Sequence, residues 1–131
     1  MGIEGEMIMK IKTSELTAPA LDWAVAICEG INLFETEGWQ YTEEGRKPYR
    51  PSANWAQGGP IIEREKITLM QDVHPEYPTE GIWDAECVGA LDEDGYGDIH
   101  TARHERPLIA AMRCYVASKL GDEVEVPEEL L

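Results

Sequence analysis

Basic residues are scarce in this chain. Its 131 residues carry 11 Lys and Arg against 26 Asp and Glu, a formal charge of −15. That balance opposes any broad attraction to a phosphate backbone or an anionic membrane surface, so direct nucleic-acid binding is not expected. Cysteine is scarce as well. Cys28, Cys87 and Cys114 are odd in number and far apart in sequence, which argues against a disulfide framework and against a paired-thiol zinc site. Reduced thiols in a cytoplasmic protein fit best, and Cys28 and Cys114 fall in apolar helical patterns where cysteine acts as a small hydrophobe. No apolar run approaches membrane-spanning length, and the opening MGIEGEMIMKIK lacks a basic region followed by a hydrophobic one. There are no internal repeats and no low-complexity segments. With 43% hydrophobic residues, the chain can build one core without metal or disulfide help.

Catalytic signatures are missing too. Neither EEGRKP nor AQGGP has the glycine spacing, lysine and flanking strand and helix of a phosphate-binding loop. No nucleophile elbow occurs, and no pair of carboxylates sits in a motif that would separate an acid from a base. His100 and His104 have the spacing of a helical metal pair, with Asp98 or His74 as a third ligand, but the intervening TAR lacks the glutamate of a zinc hydrolase. A solvated loop or frayed helix start is the expectation there. DEDGYGDIHTAR imitates a calcium loop at Asp92, Asp94 and Gly97, yet Arg103 stands where the bidentate glutamate is required, leaving an acidic solvated turn. The expectation is therefore no enzyme, no metal and no cofactor.

What is present is a sequence of patterned segments. Residues 1–8 precede the first pattern and form an extension to a single domain over 9–131. MKIKTSEL alternates from Met9 as a half-buried strand does. TAPALDWAVAICEG predicts a helix over 17–29, with Thr17 as N-cap, Pro19 in the first turn, Leu21, Val25 and Cys28 on one stripe, and Gly30 beyond the end. Trp23 and Ile27 form a second stripe, which suggests cover from the sheet and from a second subunit in a homo-oligomer. Residues 34–59 are loop-like, with WQY as a short strand and EEGRKP as a turn. PIIEREKITLMQDV gives a turn into a strand over 66–73, and HPEYPTEG breaks the chain. IWDAECVGA predicts a strand that enters a hairpin or acidic loop, paired antiparallel. PLIAAMRCYVASKLG, with Pro107 opening and Gly121 closing it, predicts the central helix over 107–120, and EVEVPEELL a last strand and turn. Two main helices with an antiparallel sheet make an α+β domain, its core built on Leu21, Val25, Leu108, Met112 and Val116.

The segment YRPSANWAQGGPIIERE concentrates groups that bind small molecules. Tyr49 and Trp55 offer rings for stacking, Arg50 and Arg64 can pair with an anion, Gly58 and Gly59 permit close backbone approach, and Ser52, Asn54 and Gln57 add hydrogen-bonding groups. The same residues also fit a plainer account, in which Trp55 is core and Gly58, Gly59 and Pro60 turn the chain.

The strings MKIKTSELTAPALDWAVAICEG, PSANWAQGGPIIERE and PLIAAMRCYVASKLGDEVEVPEEL resemble the NinX-like family of small proteins encoded by tailed bacteriophages and prophages. The resemblance spans Met9 to Leu130 and implies a phage accessory protein acting in the bacterial host's cytoplasm. It brings no biochemical activity with it. A shorter likeness, confined to Pro51, Ser52 and Trp55, links the segment to phage anti-Thoeris proteins that sequester cyclic nucleotide signals. Two functions are therefore in view: a binder that sequesters a small anionic, nucleotide-like ligand without catalysis and so counters host defence, or an acidic protein-interaction factor that mimics DNA toward a host protein. Arginines and aromatics converging on a cleft would favour the first. Acidic residues gathered on one face, with Trp55 fully packed, would favour the second.

Overall fold

The computed structural model describes residues 7–71 and 81–131. Strand β1 (Ile8–Lys12) pairs antiparallel with the last strand, β7 (Glu123–Pro127), so the two ends of the domain are stitched together. The strand begins at Ile8, and the Met7 carbonyl accepts the Glu128 N–H beyond it. A short 3-10 turn at Thr13–Glu15 leads to α1 (Ala20–Glu29), whose N-cap is Pro19 rather than Thr17. Gly30 closes α1 in the left-handed conformation at φ 71°, the conformation that glycine adopts without strain.

β2 (Leu33–Thr36) and β3 (Trp39–Thr42) form a hairpin where a loop is expected from sequence. Its turn places Glu37 and Gly38 at φ 53° and 81°, the two positive values that a tight hairpin with right-handed strand twist requires. The largest correction follows: PSANWAQGGPIIERE is not a turn into a strand, because residues Trp55–Glu65 form a helix, α2. Asn54 caps it by accepting the Ala56 N–H at 2.9 Å, and Arg64 lies in its last turn, where a cation suits the helix dipole. Pro60 inside the helix and the two preceding glycines disguise it in sequence. β4 (Thr68–Gln71), β5 (Trp83–Val88) and β6 (Ile99–His104) then make a three-stranded antiparallel meander. The predicted strand over 66–73 thus starts at Thr68; its end at Val73, His74 and most of HPEYPTEG lie outside the described residues.

β6 also corrects the reading of the histidine pair. His100 and His104 are on a strand rather than a loop or helix start, so at roughly 3.3 Å per residue they stand about 13 Å apart, too far to share a metal ion.

α3 (Pro107–Leu120) packs against α1, α2, β5, β6 and β7. Leu108, Met112, Tyr115 and Val116 are buried with Leu21 and Val25 of α1, as the sequence predicts, and Leu16 and Val126 join them. Ala85, Cys87 and Ala102 form the inner face of the meander, and the small side chains of Ala110 and Ala111 let sheet and helix approach closely. The approach brings together two cysteines widely separated in sequence: Cys87 Sγ and Cys114 Sγ are 3.2 Å apart and unbonded, and Cys114 donates to the His100 carbonyl at 3.1 Å. On α1, Trp23 is partly buried while Ile27 is exposed.

α2 meets α3 through Gly58. A Cβ there would lie 2.5 Å from the Pro51 carbonyl oxygen and 2.6 Å from Leu108 Cδ1, whereas a Cβ on Gly59 would meet nothing within 4 Å. Gly58→Ala is therefore expected to cost about 1–3 kcal/mol through overpacking. Gly59→Ala should instead stabilise the helix by about 0.5–1 kcal/mol. Urea denaturation of both variants checks this, and equal effects would contradict the packing. Met112→Ala, which empties a fully enclosed position, is expected to cost about 2–5 kcal/mol in the same assay.

Candidate ligand-binding site

The residues singled out between Tyr49 and Arg64 do not converge on one pocket. Gln57 acts as a clamp: its side-chain oxygen accepts the Arg50 N–H at 2.6 Å and its amide donates to the Pro48 carbonyl at 2.7 Å. Asn54 is spent on the helix cap, and Ser52 is buried, its backbone N–H donating to Asp22 Oδ1 at 2.8 Å. The Ser52 hydroxyl is enclosed near the same carboxylate without a hydrogen bond of normal geometry. Gly58 faces α3 rather than a ligand, and Gly59 faces open space. Trp55 is 53% exposed at the start of α2, so it is not a core residue.

Arg64 is committed elsewhere. Its guanidinium donates to both Glu29 oxygens at 3.0 and 2.6 Å, to Glu65 at 2.8 Å and to the Tyr115 hydroxyl at 3.2 Å, while Tyr115 itself donates to Glu29. Lys119 adds a contact to Glu65 at 3.3 Å. This cluster fastens α1, α2 and α3 to one another, and it leaves Arg64 few donors for a ligand.

Tyr49 and Arg50 do line a recess, of about 200 Å3, together with Ala18, Pro19, Asp22, Gly38, Trp39 and Gln40. The hairpin and the segment before α2 build it jointly. Tyr49 N–H donates to the Gln40 carbonyl at 2.9 Å, and Gln40 Nε2 donates to the Pro19 carbonyl at 3.0 Å. On the rim, the Arg50 guanidinium lies over the half-exposed Trp39 ring, 4.5 Å from its centroid, an arrangement that holds the cation through the ring's negative face. Among the described residues Arg50 makes no ion pair. Below it Asp22 is almost wholly buried. Burial pushes its carboxyl up from the ordinary value, against the hydrogen bond from the Ser52 N–H and the charge of Arg50. Burial, and then the charges of Glu29 and Asp22, push the Tyr49 phenol up, so it stays neutral.

Such a recess offers a ring to stack on and a cation beside it, which suits a flat anionic group. Trp39, Gln40 and Asp22 are the members that the sequence did not announce. WQY was legible as a strand, and only the hairpin turn puts its tryptophan beside Arg50. Among the described residues no group of three or more His, Cys, Asp and Glu side chains is placed to hold a metal ion, and no helix is long and apolar enough to cross a membrane.

The Arg64 cluster generates a pH prediction. Burial raises the Glu29 carboxyl, but hydrogen bonds from Arg64 and Tyr115 and the charges of Arg64 and Lys119 outweigh it and hold the group below the ordinary 4.5. Glu65 is lowered chiefly by its hydrogen bond from Arg64. Carboxylates with depressed values stabilise the fold fully above 4.5, and that stability is lost as pH falls through the depressed value. Glu29→Gln is expected to lower the melting temperature at about pH 7 and to matter less at about pH 3. The exposure of Arg64 keeps the effect modest. An equal deficit at both pH values would contradict the assignment.

No curated protein matches this chain. The family described as Bacteriophage P22, NinX matches residues 12–119. That match spans α1, α2, the recess and all of α3 but its last residue, and it agrees with the strings that resemble the family in the sequence: the chain belongs to the NinX family of bacteriophage proteins.

Proposed function

We propose that this phage protein is a non-catalytic receptor that sequesters a small, flat, anionic ligand of nucleotide type in the recess of Trp39, Tyr49 and Arg50, and so removes a host defence signal in the bacterial cytoplasm. The observation that carries the reading is the Arg50 guanidinium, held over an exposed indole ring beside a recess and without an ion pair among the described residues. In a protein of charge −15, that cation gives an anion a local partner against the general repulsion. A base stacks on Trp39 in the place that the guanidinium now occupies, and the displaced Arg50 takes the ligand's phosphate or carboxylate.

A second reading, an acidic factor that docks on a basic host protein and takes the place of DNA, has its own observation. Leu91 and Tyr96 on the β5–β6 connection, and Val88 and Ile99 at the strand ends beside it, are all exposed, near Asp92, Glu93, Asp94 and Asp98 in the sequence. Asp92 fastens that loop by accepting the Asp94 and Tyr96 N–H groups, each at 2.9 Å.

Isothermal titration with a panel of nucleotides and cyclic nucleotides, followed by chromatography of ligand released on denaturation, separates the readings. Intact ligand is expected, with affinity reduced by about ten-fold or more in Arg50→Ala and Trp39→Ala and unchanged in Trp55→Ala. Altered ligand would make the protein an enzyme, with Asp22 the residue to test, and silence across the panel would transfer the proposal to the acidic loop.

A further inference from the structure

A second cavity, of about 350 Å3, lies between the β1–β7 pair and the outer strand of the meander. Lys12, Thr13 and Ser14 form one side, Thr101 and Ala102 of β6 another, Asp122 and Glu123 a lip, and Arg113 and Ala117 of α3 the floor. Its size falls within the range of about 300–1,000 Å3 typical of small-molecule sites. None of these residues belongs to the recess described above.

Arg113 is what makes the cavity unusual. Only 9% exposed, it donates through Nε to the Leu16 carbonyl at 2.8 Å and through Nη1 to the Arg103 carbonyl at a long 3.4 Å. Among the described residues it has no carboxylate within ion-pair distance, and Glu15 acts on it only from farther away. A guanidinium has five N–H donors in one plane, and two carbonyls satisfy neither all of them nor the buried charge. An enclosed cation of this kind, in the floor of a cavity, calls for an anionic group inside that cavity.

The rest of the lining restricts which anion. Lys12 stands opposite Glu123 in the β1–β7 register, yet the two make no ion pair, so both charges are open to a ligand. Two cations, Lys12 and Arg113, share this lining with two carboxylates, Asp122 and Glu123, and a polyanion would meet those carboxylates at once. A molecule carrying both charges meets neither penalty. We propose that this cavity binds a small zwitterion of the α-amino-acid class, its carboxylate on Arg113 and Lys12 and its ammonium on Asp122 and Glu123. Ser14 and Thr101, also in the lining, offer hydroxyls for further hydrogen bonds.

The test is NMR titration of the full chain with glycine, serine, leucine, glutamate and lysine, set against acetate, methylamine and inorganic phosphate. At least one amino acid is expected to shift the Ser14, Thr101 and Asp122 amides with an affinity about ten-fold or more above that of acetate or methylamine. Arg113→Lys should lower that affinity by about ten-fold or more, since a point charge cannot replace the bidentate fork. Because Arg113 also holds the Leu16 carbonyl, the exposed pair Asp122→Asn with Glu123→Gln supplies an independent check: it should weaken the amino acid and leave acetate unchanged. Arg50→Ala should leave binding intact. No shift with any amino acid, acetate or phosphate binding as tightly as the amino acids, or unchanged affinity in the Asp122 and Glu123 variant would each overturn the assignment.

Discussion

The burial of α3 is the constraint on which this structure depends. The described residues form two two-stranded sheets and one of three strands, small sheets that need cover from helices in water. The meander and β7 pack on a single 14-residue helix in which Leu108 and every residue from Ala110 to Val116 are buried, and the hairpin is tied to the chain before α1 by the Gln40–Pro19 hydrogen bond. A helix enclosed on nearly every side must be apolar nearly all round. Of its buried polar side chains, Cys114 donates to the His100 carbonyl and Tyr115 to Glu29, while the Leu16 and Arg103 carbonyls satisfy Arg113 only in part.

The same helix fixes the recess, although it contributes no residue to it. α2 is pressed on α3 where Gly58 has no side chain, and the Glu29–Arg64–Tyr115 cluster ties both to α1. With α2 held, Gln57 holds Pro48 and Arg50, and the chain from Tyr49 to Ser52 runs between α1 and the hairpin. The Arg50 cation and the Trp39 ring therefore sit on a backbone anchored at both ends. Preorganisation of that sort reduces the ordering cost of binding, which matters when the recess is small.

Much of this architecture was legible in the sequence. Periodicity and end signals located α1 and α3, the alternation of MKIK and EVEV located the strands that close the domain, and the buried set Leu21, Val25, Leu108, Met112 and Val116 followed from helical spacing. α2 was hidden because Gly58, Gly59 and Pro60 carry the composition of a turn; tertiary packing against Leu108 overrides that preference. The candidate site was legible in part. Tyr49 and Arg50 line the recess, but Trp55, Gly59 and Arg64 are on a helix that turns them elsewhere, a separation visible only once α2 exists. Trp39, Asp22 and Arg113 join their sites through contacts between residues distant in sequence, and no local pattern marks such contacts.

Capture without chemistry is the central functional claim, and a native mass spectrum of the protein purified from phage-infected bacteria addresses it most directly. The account predicts a complex heavier than the polypeptide by the mass of one small ligand, with that ligand recovered intact on denaturation and the added mass absent from Arg50→Ala protein that still folds. Bare polypeptide alone, or polypeptide in complex with a basic host protein, would contradict it.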